Sequence, residues 1–213
     1  MKLLRLFVVA LALCSAGIIS APSKAATSEE AGKYIEGIGS NALAVISNKS
    51  LDKAGKQAKL EAIFSDSVDF NWVSRFVMGR YWRQATDAQK TRYVAEYKKF
   101  LILNYTSRFT QYTSGSFKVT SSKDNGNNEF TVSMQIQAGA ANSEPVLVDY
   151  RVRAGDTGGF KIFDVIVEGV SLLATQRSEF GSVLSKEGID YLTDQLVAKS
   201  KSGEVTTMPG AKS

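Results

Sequence analysis

The sequence predicts an α+β domain: helices packed on one face of a curled four-stranded antiparallel sheet, with an apolar cavity between the layers. Three observations carry that expectation. Apolar residues recur at spacings of three and four near both ends of the chain, apolar and polar residues alternate through the middle, and Gly- and Asn-rich turns punctuate the alternating part.

The first 25 residues read as an export signal. A basic start (Lys2, Arg5), an apolar run from Leu6 to Ile19, and the small-x-small site Ser23-Lys24-Ala25 place cleavage before Ala26. A membrane anchor is the rival reading, but the run falls short of the roughly 20 apolar residues a spanning helix needs, and Ser15, Gly17 and Ser20 dilute it. A lipoprotein would use Cys14, yet Leu13 stands where a small residue is expected.

Cleavage removes Lys2, Arg5 and Lys24 and lowers the net charge from +5 to +2, with 23 basic residues against 21 acidic. No basic stripe suited to nucleic acid remains. The only cysteine, Cys14, leaves with the signal, so stability must come from a packed core rather than from disulfides. The mature length suits one domain over residues 26–199, expected as a monomer, and the Lys-, Ser-, Gly- and Thr-rich segment 200–213 reads as a disordered tail.

The elements follow in order. Ile35, Ile38, Leu43, Val45 and Ile46 mark a first helix from Ser28, and Leu60, Ile63 and Phe64 mark a second beyond the polar break at Asn48 to Lys53. Phe70, Val73, Phe76 and Val77 follow Asp69 in a short third helix that Gly79 is placed to end. Thr86-Asp87-Ala88-Gln89 has the capping-box pattern and opens a long helix to about Tyr112. Its inner stripe is largely aromatic: Tyr93, Tyr97, Phe100, Leu101, Tyr105, Phe109 and Tyr112. An ordinary core stripe would look the same.

The period then changes to two. Phe117 and Val119 open a strand, Asp124-Asn125-Gly126-Asn127 is a hairpin turn, and Phe130, Val132, Met134 and Ile136 alternate with polar neighbours. Val146, Val148, Tyr150 and Val152 alternate likewise, and the turn at Gly155 to Gly159 leads to a strand from Phe160 to Val167. Two further helices, about Val170 to Leu184 and Lys186 to Lys199, complete the order.

The chain contains no histidine, which removes the side chain best suited to proton transfer near neutrality and the commonest metal ligand. Without histidine or a mature cysteine, Ser-His-Asp, Cys-His and thiolate or imidazole zinc sites are excluded, and no cofactor or metal is expected. Carboxylate chemistry would fall to Asp164 with Glu168, or to Asp149, whose place on a wet strand face is explained by solvation. Arg75, Arg80 and Arg83 gather at the end of the third helix, where they either complement the negative helix end or form a basic rim for an anionic group.

Two separated blocks carry a family resemblance. Val68-Asp69-Phe70, then Met78-Gly79-Arg80-Tyr81-Trp82-Arg83-Gln84-Ala85-Thr86 and Gln89, form the first. Phe163-Asp164-Val165-Ile166-Val167-Glu168-Gly169-Val170-Ser171-Leu172, then Arg177-Ser178-Glu179-Phe180, Gly188-Ile189-Asp190 and Leu192, form the second. In this order they resemble the MlaC family of bacterial periplasmic phospholipid-binding proteins, also called the toluene-tolerance family. The chain departs from it at Thr175-Gln176, where an Asn-Tyr pair is common, and near Phe160, where Trp is common.

The resemblance implies a periplasmic shuttle that carries phospholipid between an outer-membrane lipoprotein complex and an inner-membrane ABC transporter, with acyl chains held between sheet and helices. The expected walls are Phe76, Val77, Tyr81, Trp82, Phe100, Leu101 and Tyr105 from the helices, with Val132, Met134, Val148, Tyr150, Val165 and Val167 from the sheet. Three alternatives remain. One is a carrier of another lipid such as a hopanoid, one an enzyme using Asp164 or Glu168 with a tyrosine such as Tyr81, and one an exported adaptor with a solid core.

Overall fold

The computed structural model describes residues 25–109, 115–138, 144–155 and 158–202. The expected export signal therefore lies, but for Ala25, outside the described residues. So do Tyr112 and residues 203–213 of the expected tail.

Helix α1 (Ser28–Ser47) starts on a capping box: the Glu30 N–H donates to Thr27 Oγ1 (3.2 Å) and the Thr27 N–H to Glu30 Oε2 (2.9 Å). Helix α2 (Lys53–Ser67) is capped by Asp52, α3 (Phe70–Met78) by Asp69, and a 3-10 turn, Gly79–Arg83, follows. The expected box at Thr86 and Gln89 opens α4 (Asp87–Phe109), with Gln89 N–H to Thr86 Oγ1 at 3.2 Å.

The sheet is an antiparallel meander in sequence order: β1 (Gly115–Asp124), β2 (Glu129–Ala138), β3 (Val146–Ala154), β4 (Phe160–Val167) and β5 (Val170–Ser171). The four expected strands are present, and a two-residue fifth is added where the sequence suggested the start of a helix. Helix α5 (Leu172–Lys186) begins after it, and α6 (Gly188–Ser202) extends through the first three residues of the segment read as tail.

Register explains the two faces. Phe130 lies opposite Val152, Val132 opposite Tyr150, and Met134 opposite Val148, so these side chains share one face. Helix α1 covers that face, placing Ala31 and Ile35 against Phe130, Val132, Met134, Val152 and Ile162. It comes close to β1 because residue 32 is glycine: a Cβ there would fall 2.5 Å from Ser122 Oγ. Helices α2, α3 and α5 meet the sheet at β4.

Strand β4 divides the protein into two apolar bodies. The pairing shifts between Arg151 and Val152, which Asp164 and Ile162 face, so Phe163 is the extra residue. Ile162 accordingly joins the cluster under α1, whereas Phe163 joins a second cluster built from α3 to α6. Val68 touches both, with a parallel bridge to Ile162 and the Asp69 N–H on the Ile162 carbonyl at 2.9 Å. That bridge and β5 cover parts of the free side of β4, at Ile162 and at Ile166 and Val167.

The body under α1 is tightly filled, with Val132 and Val152 inaccessible to solvent and Phe130 at 1 % exposure, edge-on to Phe160 at 5.7 Å. Phe130→Ala is expected to cost about 3–5 kcal/mol, read as a lower midpoint in urea unfolding with an unchanged slope.

Candidate functional site

Helix α4 is the centre of the second body. Tyr93 and Tyr97 stack at 5.4 Å and are fully buried, Phe100 and Leu101 are buried below them, and Tyr105 stacks on Phe64 at 5.7 Å. Against this stripe α5 contributes Phe180 and Leu184, and α6 contributes Leu192 and Leu196. The packing leaves a groove of about 400 Å³ between α4, α5 and α6. Phe100, Tyr105, Leu172, Phe180, Leu192 and Leu196 give it an apolar wall, and Gln176, Glu179, Gln195 and Lys199 add polar groups. Tyr191, 46 % exposed, stands at its rim.

A second, shallower recess of about 560 Å³ lies on the opposite face of α5, against the end of α3 and the 3-10 turn. Residues 172, 175, 176, 179, 180 and 183 of α5 face the groove, and residues 174, 177, 178, 181, 182 and 185 face the recess. The helix is thus a partition between an aromatic side and a basic one.

The thirteen expected wall residues are not brought to one surface. Phe100 and Tyr105 line the groove, while Val77 and Tyr81 line the recess. Phe76, Trp82 and Leu101 belong to the helical body without lining either. Val132, Met134, Tyr150 and Val165 pack under α1, and Val148 and Val167 pair with one another across β3 and β4. Sheet residues line neither hollow, because α1 already fills the space above them. The groove residues from α5 and α6 were not singled out from sequence; the spacing of Leu172, Phe180, Leu192 and Leu196 is the signal that could have found them.

The departure at Gln176 has a local explanation. Tyr97 is fully buried, and its hydroxyl donates to Gln176 Oε1. An aromatic side chain at residue 176 would leave that hydroxyl to find another acceptor.

Asp164 is occupied structurally. Its buried carboxylate accepts from Val165 N–H (2.8 Å), Ser171 O–H (2.8 Å) and Leu173 N–H (3.2 Å), which ties β4 to the start of α5. Glu168 is exposed, at φ +48 in the β4–β5 turn, with its carboxylate on the Leu147 N–H at 2.6 Å. Neither acid faces the groove, so a reaction centred on them has no geometry to support it. Arg80 donates to the Tyr81 hydroxyl at 3.0 Å, and the Phe76 carbonyl at the end of α3 is taken by Arg177 (3.0 Å) rather than by Arg75, Arg80 or Arg83. Among the described residues no helix is long and apolar enough to cross a membrane, and no group of acids forms a metal site.

An aromatic-walled groove between helices, in an α+β domain beside a sheet that α1 fills, defines the scaffold. The same scaffold is seen in a phospholipid-binding protein from Ralstonia solanacearum solved in complex with a phospholipid. The TM-score is 0.70 at 23% identity, over 81% of this chain and 98% of that one. The MlaC protein family model matches residues 38–198, and the chain belongs to that family. It is 24% identical over 131 residues to the Haemophilus influenzae intermembrane phospholipid transport system binding protein MlaC, an alignment that takes in 61% of either chain. It is also 24% identical over 147 residues to toluene tolerance protein ttg2D of Pseudomonas putida, covering 67% of each.

Burial sets the titration of the core tyrosines. It pushes the phenols of Tyr93 and Tyr97 well above the ordinary value and that of Tyr150 up to about 12. In the unfolded chain all three ionise near 10, so the unfolded state loses its protons first. Stability from these groups is complete below pH 10 and declines as pH rises toward 12. An absorbance titration is expected to show these three phenols ionising only together with loss of near-UV dichroism.

Proposed function

We propose that the protein is a periplasmic phospholipid carrier that takes the acyl chains of its cargo between α4, α5 and α6. The single observation that carries this reading is the aromatic groove on α4, in a chain of the MlaC family whose mature part has neither histidine nor cysteine. Two acyl chains of about 30 methylenes, at ~0.8 kcal/mol each, would cost ~24 kcal/mol exposed to water. A carrier must hide them and still release them, which a groove between helices allows better than a closed core.

The name of the Haemophilus influenzae relative, an intermembrane phospholipid transport system binding protein, supports carriage of phospholipid between membranes; an outer-membrane lipoprotein complex and an inner-membrane ABC transporter are the proposed end points, and the periplasm the proposed site of action. A volume of about 400 Å³ is at the small end of the roughly 300–1,000 Å³ typical of ligand sites, so a two-chain lipid requires α5 and α6 to move away from α4. The carrier is not an enzyme on this reading, and of the two carboxylates singled out for chemistry Asp164 is a helix anchor and Glu168 an exposed turn residue.

Native mass spectrometry of the purified mature protein is expected to show one phospholipid per chain; a hopanoid in its place would identify the alternative cargo. Tyr191→Glu puts a charge on the groove rim at a half-exposed site, so the fold is retained and the lipid-bound fraction is expected to fall about tenfold. Protein that takes up no lipid from vesicles and carries none from the cell would overturn the reading.

A further inference from the structure

The recess on the far side of α5 has a chemistry of its own. Two guanidinium groups, Arg80 and Arg177, face it, and no carboxylate lines it. Neither arginine has an acidic partner within 4 Å among the described residues. Both are held in place by neutral groups instead. Arg177 lies 4.5 Å over the Phe76 ring with one nitrogen on the Phe76 carbonyl, and Arg80 lies 5.1 Å over the Tyr81 ring with one nitrogen on its hydroxyl. A guanidinium carries five N–H donors, so the described contacts leave most of each fork unused.

The rest of the recess suits the same occupant. Ser178 adds a hydroxyl on this face of α5, while the hydroxyls of Ser182 and Ser185 donate to the Ser178 and Ser182 carbonyls. Gly79, at φ +54, brings bare backbone to the wall: a Cβ there would sit 3.1 Å from Arg177 Nη2. Fixed cations with free donors and no competing acid form an environment for an oxyanion with several acceptor oxygens.

We propose that this recess binds a phosphate group, presented either on an anionic lipid headgroup or as free phosphate. The acyl-chain groove lies across α5 from it, so the recess is a separate site, and its occupancy does not depend on the carrier reading. With a headgroup as the source, it would orient the protein at an anionic membrane surface.

The test is a titration of inorganic phosphate at constant ionic strength, followed by the amide signals of Gly79, Gly181 and Ser182. Saturable shifts confined to these elements are expected, weakened about tenfold in Arg80→Gln and lost in Ser182→Glu, which places a carboxylate in the recess. Flotation with phosphatidylglycerol against phosphatidylcholine vesicles separates the sources. Retention on the former that free phosphate competes away identifies the headgroup, and retention on neither identifies free phosphate. Shifts that do not saturate, or binding to phosphate or vesicles that survives both substitutions, would overturn the site. Because both variants alter exposed side chains, a dichroism spectrum like that of the parent protein is expected to accompany either result.

Discussion

The carboxylate of Asp164 joins the two halves of this protein. It accepts from its own strand at Val165, from the Ser171 hydroxyl in β5 and from the Leu173 N–H in the first turn of α5. Ser171 in turn caps the Ala174 N–H at 3.0 Å, so the start of α5 is held by two side chains anchored on the sheet. A negative group at the positive end of a helix is favourable in itself. Its larger consequence is positional, because the direction of α5 decides which of its faces meets α4 and which meets α3. Groove and recess both follow from that direction.

A second contact completes the placement of α5. Arg177, one turn and a half along the helix, takes the Phe76 carbonyl at the end of α3 and lies against Phe76 and Gly79. Gly79 belongs to the first sequence block that marks the family and Arg177 to the second. Blocks about a hundred residues apart in the chain therefore meet at one point, where a positive-φ glycine leaves room for a guanidinium. The residue types in both blocks have a packing reason as well as any functional one.

Much of the local structure was legible because its causes are local. The Thr86 and Gln89 box, the Gly79 stop, the hairpin at Asp124 to Asn127 and the alternation in β2 and β3 all act within a few residues. The lining of the groove was legible only in part. Phe100 and Tyr105 follow from the aromatic stripe of α4, but Val132 and Met134 have the same character and serve α1 instead. An apolar residue records that its face is covered and not by what. The assignment of Phe163 to the helical body depends on one extra residue in β4, a long-range register effect with no signature in hydropathy.

On the proposed function, the contrast between the two apolar bodies also decides where a bulky ligand would enter. Under α1 the central side chains are buried and the helix lies too close to β1 for any residue but glycine at position 32, so making room there means lifting a twenty-residue helix off the sheet. Along the groove, α6 is linked to α4 at the surface by Gln89 with Asp190 and by Arg92 with Asp194, exposed polar contacts that add little resistance. The main cost of moving α6 outward is uncovering Leu192 and Leu196, about 1.5–3 kcal/mol each if fully exposed. On the proposed function an incoming acyl chain would cover the same surface that the helix vacates, so most of that cost would be returned by the ligand's own methylenes. Opening without a ligand would leave that surface bare, so on the same reading the width of the groove is coupled to its contents.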